Sequence, residues 1–182
     1  NFDKKYGNCQ EILKVIHILS GQMLMNKKKI IFLTGTRADF GKLKSLITAA
    51  QKSEKYEVHI FVTGMHMNSV YGSTVNEVIE SGFKNIFKFI NHDSVENMDR
   101  TLARTIDGFS HYISQIAPDL IILYGDRVEA MAGSIVGSLN NILVAHIEGG
   151  EVSGTIDELI RHSISKMSHL HLVSNKEAKQ RL

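Results

Sequence analysis

The densest chemistry in the sequence is the stretch His146-Ile147-Glu148-Gly149-Gly150-Glu151-Val152-Ser153-Gly154-Thr155-Ile156-Asp157-Glu158, followed by Arg161-His162. Three glycines, four carboxylates, two hydroxyls, one arginine and two histidines fall within these 17 residues. A turn between a strand and a helix needs no such concentration. Thr155 and Glu158 have capping-box spacing, which accounts for part of it. That leaves Glu148 at a strand end, Asp157 at the opening of a helix, and Arg161 one turn further along the same face. Paired carboxylates so placed suit removal of a proton from a bound substrate and delivery of one back.

Three further segments carry candidate groups. In Gly35-Thr36-Arg37-Ala38-Asp39-Phe40-Gly41-Lys42, two glycines allow close backbone approach and the following helix offers its N–H groups to an anion. Arg37 and Lys42 add two cations able to meet a diphosphate. The segment is neither a Walker A loop nor GxGxxG, and a plain turn with solvated charges explains it equally well. Thr63-Gly64-Met65-His66 and Tyr71-Gly72-Ser73-Thr74 can line a pocket, although a lone histidine such as His66 is more often structural. In Tyr124-Gly125-Asp126-Arg127, Asp126 either acts as a general base or caps the helix that begins near Val128. No histidine or carboxylate spacing matches a metal site, and no GxSxG elbow is present.

Positioning these residues requires strands that end beside one another. Short apolar runs at Lys29–Leu33, Val58–Thr63, Ile86–Ile90, Leu120–Tyr124, Ile142–Ile147 and Leu170–Val173 predict strands. Between them, Lys42–Lys52, Thr74–Ser81, Asn97–Ile116, Val128–Leu139 and Asp157–Met167 read as helices. Alternation of this kind predicts an α/β domain with a parallel, Rossmann-like sheet covered by helices on both faces. In such sheets ligands gather at the carboxyl edge, where all the candidate segments fall.

Composition narrows the class. With 182 residues, 43% hydrophobic and 22% charged, the chain is an ordinary globular domain. A net charge of +2 gives no electrostatic case for nucleic acid. The one cysteine, Cys9, excludes an internal disulfide framework, and no apolar run approaches a membrane span. Residues 1–24 read as upstream translated sequence before a natural start at Met25, with 25–182 as the domain. The alternative is a native helix over Gln10–Leu19 packed on the domain edge. The sequence runs out a few residues into a further helix signal, so a longer parent protein is expected.

GTRADFGK, TGMH, YGST, GDR and HIEGGEVSGTIDELIRHSISKMSHLHL together closely resemble the hydrolysing UDP-N-acetylglucosamine 2-epimerases, from about Lys29 to the end. The non-hydrolysing branch instead carries GTRPE and a VEAGLRTGD-like segment. The resemblance implies the N-terminal half of a two-domain, glycosyltransferase-B-like (UDP-glycosyltransferase/glycogen phosphorylase-like) enzyme. It implies Asp126, Glu148 and Asp157 as catalytic carboxylates, with Arg37, Lys42, His66, Arg127 and Arg161 serving the substrate. UDP leaves to give a 2-acetamidoglucal, which is hydrated to N-acetylmannosamine, with no metal or other cofactor. The partner is a nucleotide sugar, neither nucleic acid nor membrane, in a cytoplasmic homo-oligomer (dimer or tetramer). The half-cleft alone is expected to be inactive. Rival readings are the same chemistry on UDP- or GDP-N,N'-diacetylbacillosamine, a retaining glycosyltransferase, and a non-catalytic nucleotide-sugar-binding module.

Overall fold

The computed structural model describes residues 2–19, 27–92 and 97–182; Met25 lies outside them. Two helices come first, α1 (Phe2–Tyr6) and α2 (Cys9–Leu19). Six strands follow: β1 (Lys28–Thr34), β2 (Tyr56–Val62), β3 (Ile86–Lys88), β4 (Leu120–Tyr124), β5 (Leu143–Ile147) and β6 (Leu170–Leu172). They form one sheet in the order β3-β2-β1-β4-β5-β6, with every pairing parallel. The remaining helices are α3 (Arg37–Lys52), α4 (Val75–Glu80), α5 (Met98–Ile116), α6 (Val128–Leu139), α7 (Ile156–Lys166) and α8 (Lys176–Arg181).

The apolar runs are continuous because the central strands are covered on both faces. Ile30 and Phe32 of β1 enter one core with Leu43, Leu46 and Ile47 of α3. Ile31 and Leu33 enter the other with Phe109 and Tyr112 of α5 and Val136 of α6. Each such side chain, fully buried, contributes about 1.5–3 kcal/mol. Phe2, Cys9, Leu13 and Ile16 of the N-terminal helices are buried in the same cluster as α3. The second of these helices covers the segment of the alternative reading for residues 1–24.

Several boundaries differ from the sequence reading by one or two residues, and two departures bear on the strand ends at the site. Helix α3 starts at Arg37 rather than Lys42, because Thr36 has extended backbone and its hydroxyl oxygen accepts the Asp39 N–H at 3.3 Å. Gly41 is therefore helical, with open space where its Cβ would stand, so it serves no close approach. Strand β3 ends at Lys88 rather than Ile90, since its partner β2 ends at Val62. Strand order reverses between β1 and β4, which opens a crevice at their carboxyl ends.

Candidate active site

An open cleft of about 530 Å³ occupies that crevice. Its walls are residues 36–39 after β1, residues 124–127 at the end of β4, Met65, Tyr71 and Thr74 after β2, and Glu148 after β5. Asp157 lies in an adjoining recess with Asp126 and Arg127.

Asp126 does not cap α6. The capping position is Arg127, whose side chain makes no capping bond. Instead Arg161 of α7, itself buried, donates through Nη2 to Oδ2 of Asp126 and through Nη1 to the Glu151 carbonyl at 2.9 Å. Arg161 thus turns away from the exposed face of its helix and ties α7 to the turn after β4. The capping box also forms differently from its spacing. Oε2 of Glu158 accepts the N–H groups of Ser153 and Gly154 at 2.7 and 2.6 Å, and the Thr155 side chain makes no capping bond.

Glu148 has a left-handed φ of 70°, which costs a non-glycine residue on the order of 1 kcal/mol. Its Oε1 accepts from the Lys5 ammonium and from the Tyr6 hydroxyl, the latter at 2.9 Å. The Tyr6 and Tyr124 hydroxyls are 3.2 Å apart. Burial acts to raise the Glu148 pKa, but hydrogen bonds from Lys5, Tyr124 and Tyr6 prevail and hold it below the ordinary range.

Arg37 lines the cleft, with its Nε 2.9 Å from Glu77 Oε1. Arg127 also lines it, and its Nε lies 3.1 Å from Glu129 Oε2. The structure does not bring Lys42 or His66 to the wall. Lys42 stands exposed on the second turn of α3. His66 is fully buried, with its ring nitrogens 3.1 Å from Thr34 Oγ1 and 2.7 Å from Thr74 Oγ1. Burial pushes its pKa down to about 4, so it braces the turn after β1 as a neutral ring. His146 does the same under the β4 turn. It is fully buried, with Nε2 2.7 Å from the Gly125 carbonyl and Nδ1 3.0 Å from Ser165 Oγ, and burial lowers its pKa to about 4.

Sequence reasoning passed over Asp39, Tyr124 and Glu129. Asp39 lines the cleft although it is nearly buried; Oδ2 accepts the Gly35 N–H at 2.9 Å, and Oδ1 accepts the Thr36 hydroxyl. Burial raises its pKa against those bonds. Its signal was available as the Thr36-x-x-Asp39 capping spacing. The site therefore offers carboxyl groups in unlike environments: Asp126 paired with a guanidinium, Glu148 held ionised and Asp39 pushed towards its neutral form. Such divergence suits proton transfer in both directions. Among the described residues, no cluster of three or more histidines, cysteines or carboxylates is placed to hold a metal ion. No helix among them is long and apolar enough to cross a membrane.

Residues 48–182 match the sequence profile of a family described as UDP-N-acetylglucosamine 2-epimerase. The UDP-N-acetylglucosamine 2-epimerase of Neisseria meningitidis serogroup B is 49% identical over 155 residues, which is 85% of this chain and 41% of that protein. The UDP-N,N'-diacetylbacillosamine 2-epimerase (hydrolyzing) of Legionella pneumophila is 42% identical over 159 residues, again 85% of this chain and 42% of that protein. The chain thus spans about two fifths of the length of these curated relatives. The crystal structure of the Methanocaldococcus jannaschii UDP-GlcNAc 2-epimerase, in complex with UDP-GlcNAc and UDP, superposes with a TM-score of 0.71 at 22% identity. That superposition covers 84% of this chain and 42% of the other. The shared fold is the Rossmann-like, parallel half of a glycosyltransferase-B-like architecture.

Proposed function

The chain belongs to the UDP-N-acetylglucosamine 2-epimerase family, and from that membership we propose that it is the N-terminal domain of a hydrolysing enzyme of the family. In this reading a nucleotide sugar lies in the crevice between β1 and β4, with its diphosphate towards Arg37 and Arg127. One carboxylate of the set Asp126, Glu148 and Asp157 removes the proton at C2 as the C1–O bond breaks and UDP departs, leaving a 2-acetamidoglucal. Water then adds at C1 and a proton returns to C2 on the opposite face. The sum is UDP-N-acetylglucosamine plus water giving N-acetylmannosamine plus UDP. The arginines offset charge gathering on the departing diphosphate, where fixed cations lower the barrier most.

The observation that carries the reading is the convergence of Asp126 and Glu148 with Arg127 at the strand-order reversal, Asp157 adjoining them. The hydrolysing branch is supported by HIEGGEVSGTID and by the Legionella relative, whose name states hydrolysis. That relative also favours a second reading, the same elimination and hydration on a diacetylbacillosamine nucleotide. On either substrate the active unit is a longer, cytoplasmic homo-oligomeric protein; Lys42 and His66 support the site from outside the wall; no cofactor is consumed. The present 182 residues alone turn over no substrate, because one side of the cleft is open.

Deuterium incorporation tests the chemistry. The full-length protein carrying this chain, supplied with UDP-N-acetylglucosamine in D₂O, is expected to release UDP and N-acetylmannosamine with deuterium at C2. Product without deuterium at C2 rules out the elimination route. Turnover only with the diacetylbacillosamine nucleotide selects the second substrate.

A further inference from the structure

The first turn of α6 contains a carboxylate that the reaction scheme leaves unused. Glu129 is 2% exposed. Its oxygens face the Arg127 guanidinium at two points, Nε to Oε2 at 3.1 Å and Nη2 to Oε1 at 3.4 Å. The same carboxylate fills the space between two other strand ends. A Cβ on Gly35, after β1, would stand 3.2 Å from Glu129 Cδ. A Cβ on Gly64, after β2, would stand 2.4 Å from Glu129 Oε1, and Gly64 also has a φ of +61°. Both turns thus lie against this one side chain, which reaches between them from the helix that follows β4. At Gly64 the left-handed φ and the Gly35 carbonyl, 2.8 Å from such a Cβ, call for glycine as well.

A buried carboxylate is a costly way to fill space. Packing alone would be served as well by an apolar side chain of similar volume, and replacing buried ion pairs in that way is often neutral or stabilising. What an apolar residue cannot do is fix the plane of a neighbouring guanidinium. Arg127 needs fixing: its side chain is 39% exposed, it stands at the cleft wall, and its five donors can point in several directions. Held from behind by Glu129, it presents its remaining donors forward. The helix N-terminus adds to the pairing, since an acidic group in the first turn is favoured there.

We propose that Glu129 is a positioning residue, clamping Arg127 in the orientation that receives the diphosphate of the nucleotide sugar. The inference rests on the function proposed above and adds to it a residue that need not touch the substrate. It also gives one reason for glycine at 64.

A double-mutant cycle in the full-length enzyme tests this, with UDP as the probe and binding read by calorimetry beside kcat and KM. Arg127→Ala is expected to weaken UDP binding by about 10-fold or more, the scale of one charge-assisted contact. Glu129→Gln keeps the shape and weakens UDP by about 5- to 10-fold, but has no further effect in the Arg127→Ala background. If Glu129 only supports the fold, Glu129→Gln lowers Tm and leaves UDP affinity unchanged, or weakens UDP equally in both backgrounds; either result overturns the proposal. If Glu129→Gln does not fold, Glu129→Asp carries the test, because it keeps the charge and withdraws it by one methylene. A folded Glu129→Asp enzyme with wild-type UDP affinity also overturns it. Unchanged affinity in Arg127→Ala removes Arg127 from the diphosphate site and the clamp with it, whereas a wild-type enzyme that binds no UDP defeats the proposed function itself.

Discussion

Two regions border the cleft, and they are built in opposite ways. The turns after β1 and β4 are braced from beneath. Asp39 takes two bonds from its own turn, Glu129 backs Arg127, and the neutral rings of His66 and His146 lock the backbone around them. The segment from β5 to α7 holds the denser motif yet lies mostly open. Val152, Ile156 and Leu159 are 53–64% exposed, and Asp157 is exposed beside them. Its internal order comes from Glu158 folding back onto Ser153 and Gly154. It is tied down by Arg161 on Asp126, by the Glu148 N–H on the Leu172 carbonyl at 2.9 Å, and by Asn175 Nδ2 and Arg181 Nη1 on Glu151 Oε1 and the Gly150 carbonyl at 2.8 and 2.9 Å. In the proposed function the braced side is the one that receives the diphosphate. The open side presents Asp157 and the apolar side chains of Val152, Ile156 and Leu159 at the surface.

The largest effects separate the two regions by pairing activity with stability. In the full-length enzyme, Asp126→Asn, Glu148→Gln and Asp157→Asn are each expected to lower kcat by about 10²-fold or more, the usual scale for general acid–base groups. Their stabilities diverge. Asp126→Asn weakens the bond to buried Arg161 and costs on the order of 1–2 kcal/mol, a Tm loss of several degrees when the 182-residue chain itself is melted. Asp157→Asn, on the open segment, leaves Tm within about 2 °C of wild type. An active Asp157→Asn enzyme takes that residue out of the proton-handling set, and a Tm loss equal to that of Asp126→Asn erases the contrast between the regions.

How much of this was legible follows the same division. Parallel strands and helices on both faces could be read from the apolar runs, because central strands announce two-sided burial in their composition. The open segment could be read from residue types, since a cluster of glycines and carboxylates at a strand end has few other uses. The bracing could not. His66 looked like a candidate for the wall, but the sequence does not reveal that both ring nitrogens meet threonines below it. Lys42 looked like a cation beside Arg37 until Thr36 and Asp39 began the helix five residues early. Glu129 is one acidic residue in a helix's first turn, where acidic residues are common; only the fold shows Gly35 and Gly64 pressed against it. Long-range contacts of this kind leave no periodic trace.

Acid unfolding probes the braced side next. His66 and His146 are both fully buried, with pKa values of about 4 in the fold against an ordinary value near 6.5. Between those limits each ring takes up its proton chiefly on unfolding, so the unfolded chain binds more protons there. Stability is thus complete above pH 6.5 and falls as the pH drops towards 4, by up to about 1.4 kcal/mol per pH unit for each ring. Thermal melts of the chain at pH 7.5 and pH 5 are expected to differ by several degrees. A Tm flat across that range means the rings are not held neutral and the bracing is looser than the geometry indicates.

The smallest effect concerns the N-terminal helices, which touch the cleft through Lys5 and Tyr6. We propose that residues 25–182 belong to the sheet-forming domain, since β1 opens at Lys28, and that residues 1–24 are an extension upstream of it. Deleting residues 1–24 then preserves the sheet, measured by circular dichroism, even though Phe2, Cys9, Leu13 and Ile16 no longer cover α3. The deletion also strips Lys5 and Tyr6 from Glu148. Burial acts to raise the Glu148 pKa, and bonds from Lys5, Tyr124 and Tyr6 hold it down. Removing two of those three donors while the helices stay in place moves the balance upward, so Glu148 ionises at higher pH. Deleting the helices also uncovers the carboxyl and relieves the burial that raises it. If Glu148 must be ionised to act, the acidic limb of the kcat/KM profile in the full-length enzyme moves to higher pH in Lys5→Ala with Tyr6→Phe, which leaves the helices in place, with kcat on the plateau nearly unchanged. The deletion is expected to move the limb less than this double variant, because it exposes Glu148 as it removes the donors. A limb that stays put in Lys5→Ala with Tyr6→Phe means that Glu148 does not set it, and the proton-handling role on this side of the cleft passes to Asp126 or Asp157.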